Sequence, residues 1–145
     1  GIKSLDEACS AWERLSRIEG ATGCIVQQMV EGLEVIIGAN REVGYGHLVA
    51  FGLGGIYTEA LKDIQFRLAP LSRNEAASMI EGLRAWPLIK GARGQPGMAA
   101  ACLADMLIRV GLLVHRFPQI REMDLNPVKG FGSRLFAVDA RIIVD

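Results

Sequence analysis

The stretch M-D-L-N-P-V-K-G-F-G-S-R-L-F-A-V-D-A-R at 123–141 predicts two strands joined by a turn. Asp124 and Asn126 lie two residues apart in the first apolar run, so their side chains would share one face of a strand. The K-G-F-G segment at 129–132 can reverse the chain and leads into a second apolar run, which carries Asp139. A hairpin of this kind brings the three oxygen-bearing side chains together.

Two carboxylates and an amide are ligand types that suit a hard cation. Mg²⁺ takes oxygen ligands, usually one or two carboxylates completed by substrate phosphates and water. The three side chains therefore favour a magnesium–nucleotide site over a zinc or redox centre. The same spacing is equally typical of a turn that opens at Asn126-Pro127, with both acids solvated on the strands.

The composition is typical of one globular domain. The chain has 145 residues, half of them hydrophobic, with 16 basic and 16 acidic side chains and a formal net charge of zero. This balance gives no support to binding of nucleic acid or of an anionic membrane surface, and no apolar run is long enough to span a bilayer. The widely spaced Cys9, Cys24 and Cys102 predict reduced thiols in the core of a cytoplasmic protein.

Helical periodicity is found in three parts of the chain. A capping box at Ser4 opens a helix whose apolar stripe includes Trp12 and which should stop near Gly20. A second box at Ser72 opens a helix that we expect to end at Trp86-Pro87, with both tryptophans in the core. The longest helix is predicted over about 98–116.

Short β-rich runs, most of them bounded by glycines, fill the rest of the chain. They lie at 24–30, 33–39, 47–52, 56–61, 120–126 and 134–142. The order of helix, strands, helices and strands predicts an α+β fold, with a mostly antiparallel sheet and helices packed on one face.

Three stretches carry a family pattern: I-V-Q-Q-M-V-E-G-L-E-V-I-I-G at 25–38, F-G-L-G-G-I-Y-T-E-A-L-K-D-I-Q-F-R-L-A-P-L at 51–71, and M-D-L-N-P with V-D-A-R within 123–141. Together they resemble the ATP-grasp domain of ADP-forming acyl-CoA synthetases, relatives of the succinyl-CoA synthetase β subunit. The resemblance implies an ATP-grasp C-terminal subdomain. The N-terminal subdomain that completes the nucleotide clasp in that family is not among these residues, so 1–145 is expected to be a single domain from a larger enzyme.

The resemblance also implies a site for ATP or ADP and Mg²⁺. Backbone groups of Gln27, Gln28, Met29 and Val30 would face the adenine, and Glu34 would hold the ribose hydroxyls through charge-assisted hydrogen bonds. The implied metal ligands are Asn126 and Asp139, with Asp124 beside them. Spacing alone would also fit a plain β-hairpin with a solvated Glu34.

Further contacts to phosphate are implied by the same family pattern. Gly54 and Gly55 of the G-L-G-G loop, and Arg93 of the G-A-R-G-Q-P segment, would approach phosphate oxygens. Glu59 and Arg67 are the implied catalytic residues: Glu59 would orient a phosphohistidine, and Arg67 would offer a guanidinium fork to phosphate. A tight β-turn also explains the glycine loop, and a surface ladder of ion pairs also explains the run with Glu59 and Arg67. Arg93 could equally anchor its own loop to nearby carbonyl groups.

The implied reaction joins an acid, CoA and ATP into an acyl-CoA, ADP and phosphate, through phosphohistidine and acyl phosphate intermediates. CoA and the phosphohistidine would belong to another domain or subunit, since neither His47 nor His115 fits that role. The chain alone is therefore expected to turn over nothing. Surface that normally meets the missing half leaves formation of a homo-oligomer open.

Two other functions also fit the residues. One is a regulatory nucleotide-sensing ATP-grasp-like module fused to an acyltransferase, in which Asn126 and Asp139 would still hold a metal. The other is a different ATP-grasp carboxylate ligase, which the G-L-G-G-I-Y-T-E run at 52–59 disfavours by resemblance.

Overall fold

The computed structural model of the chain describes residues 1–55, 63–91, 94 and 96–145. The helices in this part of the chain are α1 (Leu5–Leu15), α2 (Arg73–Glu81), α3 (Trp86–Ile89) and α4 (Ala100–Arg116). The strands are β1 (Leu33–Glu42), β2 (Gly46–Leu53), β3 (Ile64–Leu68), β4 (Ile120–Phe131), β5 (Arg134–Ala137) and β6 (Ala140–Val144). The predicted run at 56–61 lies outside the described residues.

One six-stranded sheet organises the described residues, in the order β3-β2-β1-β4-β5, with β6 also paired to β4. All the pairings between these strands are antiparallel. The long strand β4 pairs with β6 through its first half and with β5 through its second half. The edge formed by β5 and β6 is therefore interrupted at Val138 and Asp139.

The helices α2 and α4 cover one face of this sheet. Alternate residues of the strands point to that face and are buried, for example Val35, Ile37, Val49 and Phe51. They pack with the apolar stripes of the two helices, among them Met79, Ile80, Leu103 and Leu107. The prediction of an α+β fold with a mostly antiparallel sheet and helices on one face is confirmed.

The second capping box has the predicted geometry. The Ser72 hydroxyl accepts the backbone N–H of Glu75 at 3.2 Å, and the Ser72 backbone N–H donates to the Glu75 carboxylate at 2.8 Å. The helix ends at Glu81 rather than at Trp86-Pro87, because Gly82 closes it. Trp86-Pro87 instead starts α3, since proline is tolerated in the first turn of a helix.

Helix α1 begins at the predicted N-cap, where the Ser4 hydroxyl accepts the Glu7 backbone N–H at 3.2 Å. It ends at Leu15, before Gly20, and none of its residues is buried. The expectation that Trp12 lies in the core is wrong, since 53% of its surface is exposed. Apolar periodicity indicates which face of a helix can be buried. It does not indicate whether the rest of residues 1–145 provides a surface that covers this face.

The run at 24–30, predicted as a strand, has no strand pairing, and Ile25, Val26 and Met29 are largely exposed. Its residues favour extended backbone, but a strand also needs a neighbour to bond with. The prediction of core cysteines is wrong for Cys9 and Cys24, which are exposed. All three thiols are free, and Cys102 is half-buried.

The two histidines have the structural or exposed roles that their surroundings predicted. His47 is buried on β2, with its Nε2 2.6 Å from the Ile120 carbonyl oxygen on β4, and His115 is exposed near the end of α4. None of the helices within the described ranges has the length and apolar character needed to cross a membrane.

Candidate functional site

The hairpin predicted from 123–141 forms, and it places Asn126 directly beside Asp139. The backbone N–H of Asn126 donates to the Asp139 carbonyl oxygen at 3.3 Å, where the β5–β6 edge is interrupted. The Asp139 carboxylate accepts the Ala140 backbone N–H at 2.8 Å. This hydrogen bond holds the Asp139 side chain against the neighbouring backbone. The turn lies at Gly132 and Ser133, so that most of the predicted turn segment 129–132 is strand, because β4 continues to Phe131 and β5 begins at Arg134.

Asp124 lies on the face of the sheet that the helices leave uncovered, which we call the open face. It is opposite Gly38 of β1 and Arg141 of β6. Its side chain lines a shallow cleft of about 380 Å³ together with Gly38 and Ala50 in the floor and Phe66 on the far side. The cleft thus has an acidic wall and an apolar wall over a floor of small residues.

The oxygen-bearing side chains of Asp124, Asn126 and Asp139 are ligand types that suit magnesium. Among the described residues no three His, Cys, Asp or Glu side chains form a cluster for a metal. Asp124, Asn126 and Asp139 supply two carboxylates and one amide, so an ion held there would take its remaining ligands from phosphate oxygens and water, which is the usual arrangement for Mg²⁺.

Glu34 also lies on the open face, on β1, and has close neighbours on two sides. Its Oε1 is 2.8 Å from the Nζ of Lys129 on β4. Its carbonyl oxygen accepts the backbone N–H of Gly54 at 2.8 Å. The structure therefore brings together the predicted ribose ligand and the predicted glycine loop.

The two loop glycines permit this close approach. A Cβ on Gly54 would lie 3.0 Å from the carbonyl carbon of Glu34. A Cβ on Gly55, which has a φ of +70°, would lie 3.2 Å from the Glu34 Oε2. Side chains at these positions would press on Glu34, so the loop requires small residues beside the carboxylate.

The segment predicted to contact adenine lines a second cleft, of about 280 Å³, beside the hairpin. Its Gln28, Met29 and Val30 form one wall, and Gln27 is exposed. The opposite wall consists of Phe131, Arg134 and Phe136. Two aromatic rings and a guanidinium group provide flat surfaces on which a purine can stack.

Sequence reasoning missed these hairpin residues and also Lys129. The signal was present in the alternation of the two strands, because Lys129 pairs with Phe136 and Phe131 pairs with Arg134 across the hairpin. What the sequence did not reveal was that the segment at 28–31 passes over that side of the hairpin.

Arg67 lies away from these residues. It is opposite Val49, on the face that the helices cover. Its guanidinium donates to the Phe66 carbonyl oxygen at 2.7 Å and to the Ser78 hydroxyl at 3.4 Å. This placement gives no support to a phosphate contact by Arg67. Glu59 and Arg93 lie outside the described residues.

Asp63 lies in the same sequence run as Glu59 and Arg67 and is buried, which does not fit a surface ladder of ion pairs. Its two carboxylate oxygens accept the backbone N–H groups of Arg84 and Ala85 at 3.0 and 2.7 Å. This carboxylate binds the loop before α3, which is a structural role.

Comparisons with known proteins identify the family. A family model described as an ATP-grasp domain matches residues 2–144. The β subunit of acetate–CoA ligase (ADP-forming) I from Pyrococcus furiosus is 42% identical over 123 residues, which are 84% of this chain and 53% of that protein. Acetate–CoA ligase (ADP-forming) I from Archaeoglobus fulgidus is 41% identical over 140 residues, which are 92% of this chain and 20% of that protein.

A solved structure has the same fold. Acetyl-coenzyme A synthetase 1 of Ca. Korarchaeum cryptofilum, in complex with coenzyme A and Mg-AMPPCP, matches 100% of this chain and 66% of its own with a TM-score of 0.88 and 36% identity. The chain thus spans about half of the Pyrococcus subunit, at 53%, and about a fifth of the Archaeoglobus enzyme, at 20%. One family model accounts for nearly all of the sequence, and the whole of this chain matches part of that synthetase. This chain therefore belongs to the ATP-grasp domain family.

Proposed function

We propose that this chain is the nucleotide- and magnesium-binding part of an ADP-forming acyl-CoA synthetase. The observation that carries the proposal is the placement of the implied ligands on the neighbouring strands β1 and β4. Glu34 and Asp124 share the open face, the Gly54–Gly55 loop adjoins Glu34, and Asn126 adjoins Asp139. The similarity to ADP-forming CoA ligases supports the same reading.

The chain would hold the nucleotide from base to phosphate. The adenine would enter the cleft between 28–31 and the hairpin, and Glu34 would accept hydrogen bonds from the ribose hydroxyls. The backbone at Gly54 and Gly55 would border the phosphates, because glycines let the main chain come close to a charged ligand.

Magnesium would be held by Asn126 and Asp139, with Asp124 beside them. When bound, the ion would neutralise charge on the phosphate oxygens during phosphoryl transfer. The chain would contribute by positioning these ligands. A backbone hydrogen bond of the hairpin holds Asn126 beside Asp139, and the pairing of β4 with β1 holds Asp124 on the open face.

The complete enzyme would join an acid, CoA and ATP into an acyl-CoA, ADP and phosphate. Phosphohistidine and acyl phosphate would carry the phosphoryl group, and both CoA and the phosphohistidine would be supplied by another domain or subunit. The described residues would supply the nucleotide site for this reaction, and we expect the chain by itself to form no acyl-CoA.

The test is a calorimetric titration of ADP into the chain, with and without Mg²⁺. We expect saturable binding of Mg-ADP that Asp139→Asn weakens at least about tenfold, since one ligand charge is lost. Binding of ADP without the ion should change little in the same variant. Asp105→Asn is the matched control, because Asp105 is an exposed acid on α4 paired with Arg73.

Two results would contradict the proposal. One is no saturable binding by the wild-type chain, whether alone or joined to the upstream part of an ATP-grasp domain. The other is equal weakening by Asp139→Asn and Asp105→Asn, which would mean that lost charge in general, and not a ligand, explains the effect.

A further inference from the structure

The pair formed by Glu34 and Lys129 differs from the other ion pairs of the described residues. The two residues are directly opposite on β1 and β4, so their side chains share one face of the sheet. Their side chains are 34% and 26% exposed, whereas those of Arg73 and Asp105 are 66% and 51% exposed. Burial of this degree limits screening by salt and solvent.

The Glu34 carboxylate is confined from two directions. Lys129 Nζ contacts Oε1 at 2.8 Å, and the backbone of Gly55 lies close to Oε2. The Gly54 amide meanwhile fixes the backbone of Glu34 through a 2.8 Å hydrogen bond. Both the main chain and the carboxylate of Glu34 are thereby held in one arrangement.

This arrangement leaves acceptor capacity for a ligand. A carboxylate has about four lone-pair directions, and a single ammonium contact uses one of them. Two vicinal hydroxyls approach a carboxylate best when its orientation is already set, because less rotamer freedom is then lost on binding.

We propose that Lys129 is a positioning residue for nucleotide recognition: it holds the Glu34 carboxylate in the orientation that accepts the two ribose hydroxyls, and so gives the site its preference for ribonucleotides. This inference rests on the proposed function, because it assumes that the nucleotide binds on the open face. It adds a residue that the family pattern does not include, and it assigns Lys129 no contact of its own with the ligand.

The test is a thermodynamic cycle between Lys129 and the ribose hydroxyls. Calorimetric affinities of Mg-ADP and of Mg-2′,3′-dideoxy-ADP are measured for the wild-type chain, Lys129→Met and Lys129→Arg. We expect Lys129→Met to weaken the binding of Mg-ADP about tenfold, the size expected when hydrogen bonds to a charged group are lost. The affinity for the dideoxy nucleotide should change less than about twofold. Lys129→Arg should restore most of the preference for ribose.

The control variant is Arg73→Met, which removes an exposed ion pair on the other side of the molecule and should leave both affinities unchanged. Circular dichroism melting of each variant shows that it is folded. Equal weakening of both nucleotides by Lys129→Met would overturn the inference in favour of a direct contact between Lys129 and phosphate. Tighter binding of ADP would overturn it as well, because Lys129 would then compete with the ribose for Glu34.

Failure of the proposed function has a separate signature. If the wild-type chain binds neither nucleotide, whether alone or joined to the upstream part of an ATP-grasp domain, the open face is not the nucleotide site, and both the proposed function and the role of Lys129 are refuted. If the wild type prefers ADP and Lys129→Met keeps the whole preference, the nucleotide site stands and the role of Lys129 alone is refuted.

Discussion

The carboxylate of Asp63 accepts the backbone N–H of Ala85 at 2.7 Å, and so joins the start of β3 to the loop before α3. A second bond, from the Arg84 N–H, occupies the other oxygen at 3.0 Å. Asp63 is 8% and Ala85 4% exposed, so the Ala85 amide depends on Asp63 rather than on water. This loop connects α2, which covers the sheet, to the short helix α3.

Replacement of Asp63 by alanine should therefore destabilise the fold. Leaving a buried backbone donor without a partner costs about 1–3 kcal/mol, so we expect Asp63→Ala to lower the free energy of unfolding by about 2–3 kcal/mol, mainly through the Ala85 amide. Urea denaturation followed by circular dichroism measures the change. Asp105→Ala, which removes an exposed ion pair, should cost less than about 1 kcal/mol, and similar losses in the two variants would refute this role.

The hairpin depends on Gly130. Its φ is +153°, and a Cβ there would lie 2.0 Å from the Arg134 carbonyl oxygen. Gly130→Ala should thus lower the free energy of unfolding by more than about 3 kcal/mol, since a backbone atom has to move. Gly132 is the matched control, because it has a φ of +54° and nothing within 4 Å of its Cβ position, so Gly132→Ala should cost about 1 kcal/mol. Thermal melts of both variants decide the matter, and equal costs would mean that the hairpin yields at Gly130.

The cleft proposed to take the adenine predicts an aromatic contribution to nucleotide affinity. Phe136 lines that cleft, and loss of a ring that stacks on a base costs about 1–3 kcal/mol of binding free energy. We expect Phe136→Ala to weaken Mg-ADP accordingly and to leave binding of Mg-tripolyphosphate unchanged, as measured by calorimetric competition. Phe117→Ala removes a ring of similar exposure, 46% against 43%, at the end of α4, and should affect neither ligand. A loss of tripolyphosphate binding in Phe136→Ala would argue for a general change in the site.

The box between Ser72 and Glu75 makes a prediction about pH. The Ser72 side chain and then its backbone N–H, with a smaller contribution from Arg67, hold the pKa of Glu75 below its ordinary value. A carboxylate with a lowered pKa in the folded state adds stability above its unfolded pKa and loses it as the pH falls through the folded value. Ser72→Ala should raise the pKa of Glu75 in an NMR titration, and the stability gap between variant and wild type should narrow in acid. A gap independent of pH would show that the carboxylate contributes nothing.

Helix α1 should add little to the stability of these residues. Trp12 is 53% exposed, whereas Ile80 is fully buried beneath the sheet. We expect Trp12→Ala to lower the free energy of unfolding by less than about 1 kcal/mol, and Ile80→Ala by about 2–5 kcal/mol. Guanidinium denaturation of both variants gives the comparison, and a large loss in Trp12→Ala would mean that α1 is packed against the sheet in solution.

Local sequence signals predicted the elements that carry their own stabilising contacts. The box at Ser72, the long helix α4 and the β4–β5–β6 hairpin were all foreseen, because capping residues, apolar periodicity and turn glycines act over a few residues. These local signals did not predict the structure where a segment needs another part of the fold to pair or pack with. The segment at 24–30 has β-forming residues and no neighbouring strand, and α1 has an apolar face with no burial.

The site shows the same division. The pairing of Asn126 with Asp139 followed from the hairpin, which is local. The pairing of Glu34 with Lys129 requires the register between β1 and β4, which shifts between Val35 and Ile37. A shift of one residue moves a side chain to the other face, so spacing in the sequence does not predict this contact. The position of Arg67 opposite Val49, on the side of the helices, likewise depends on the register between β2 and β3.

Because helices cover a single face of the sheet, neighbouring residues on one strand are under different selective constraints. On β1, Val35, Ile37 and Ala39 are buried, while Glu34 and Asn40 on either side of this run belong to the open face. A deep mutational scan of β1 should therefore alternate with a period of two, as one parity alters abundance and the other alters ligand affinity. Evolution can then retune the ligand chemistry of such a strand without rebuilding the fold that displays it.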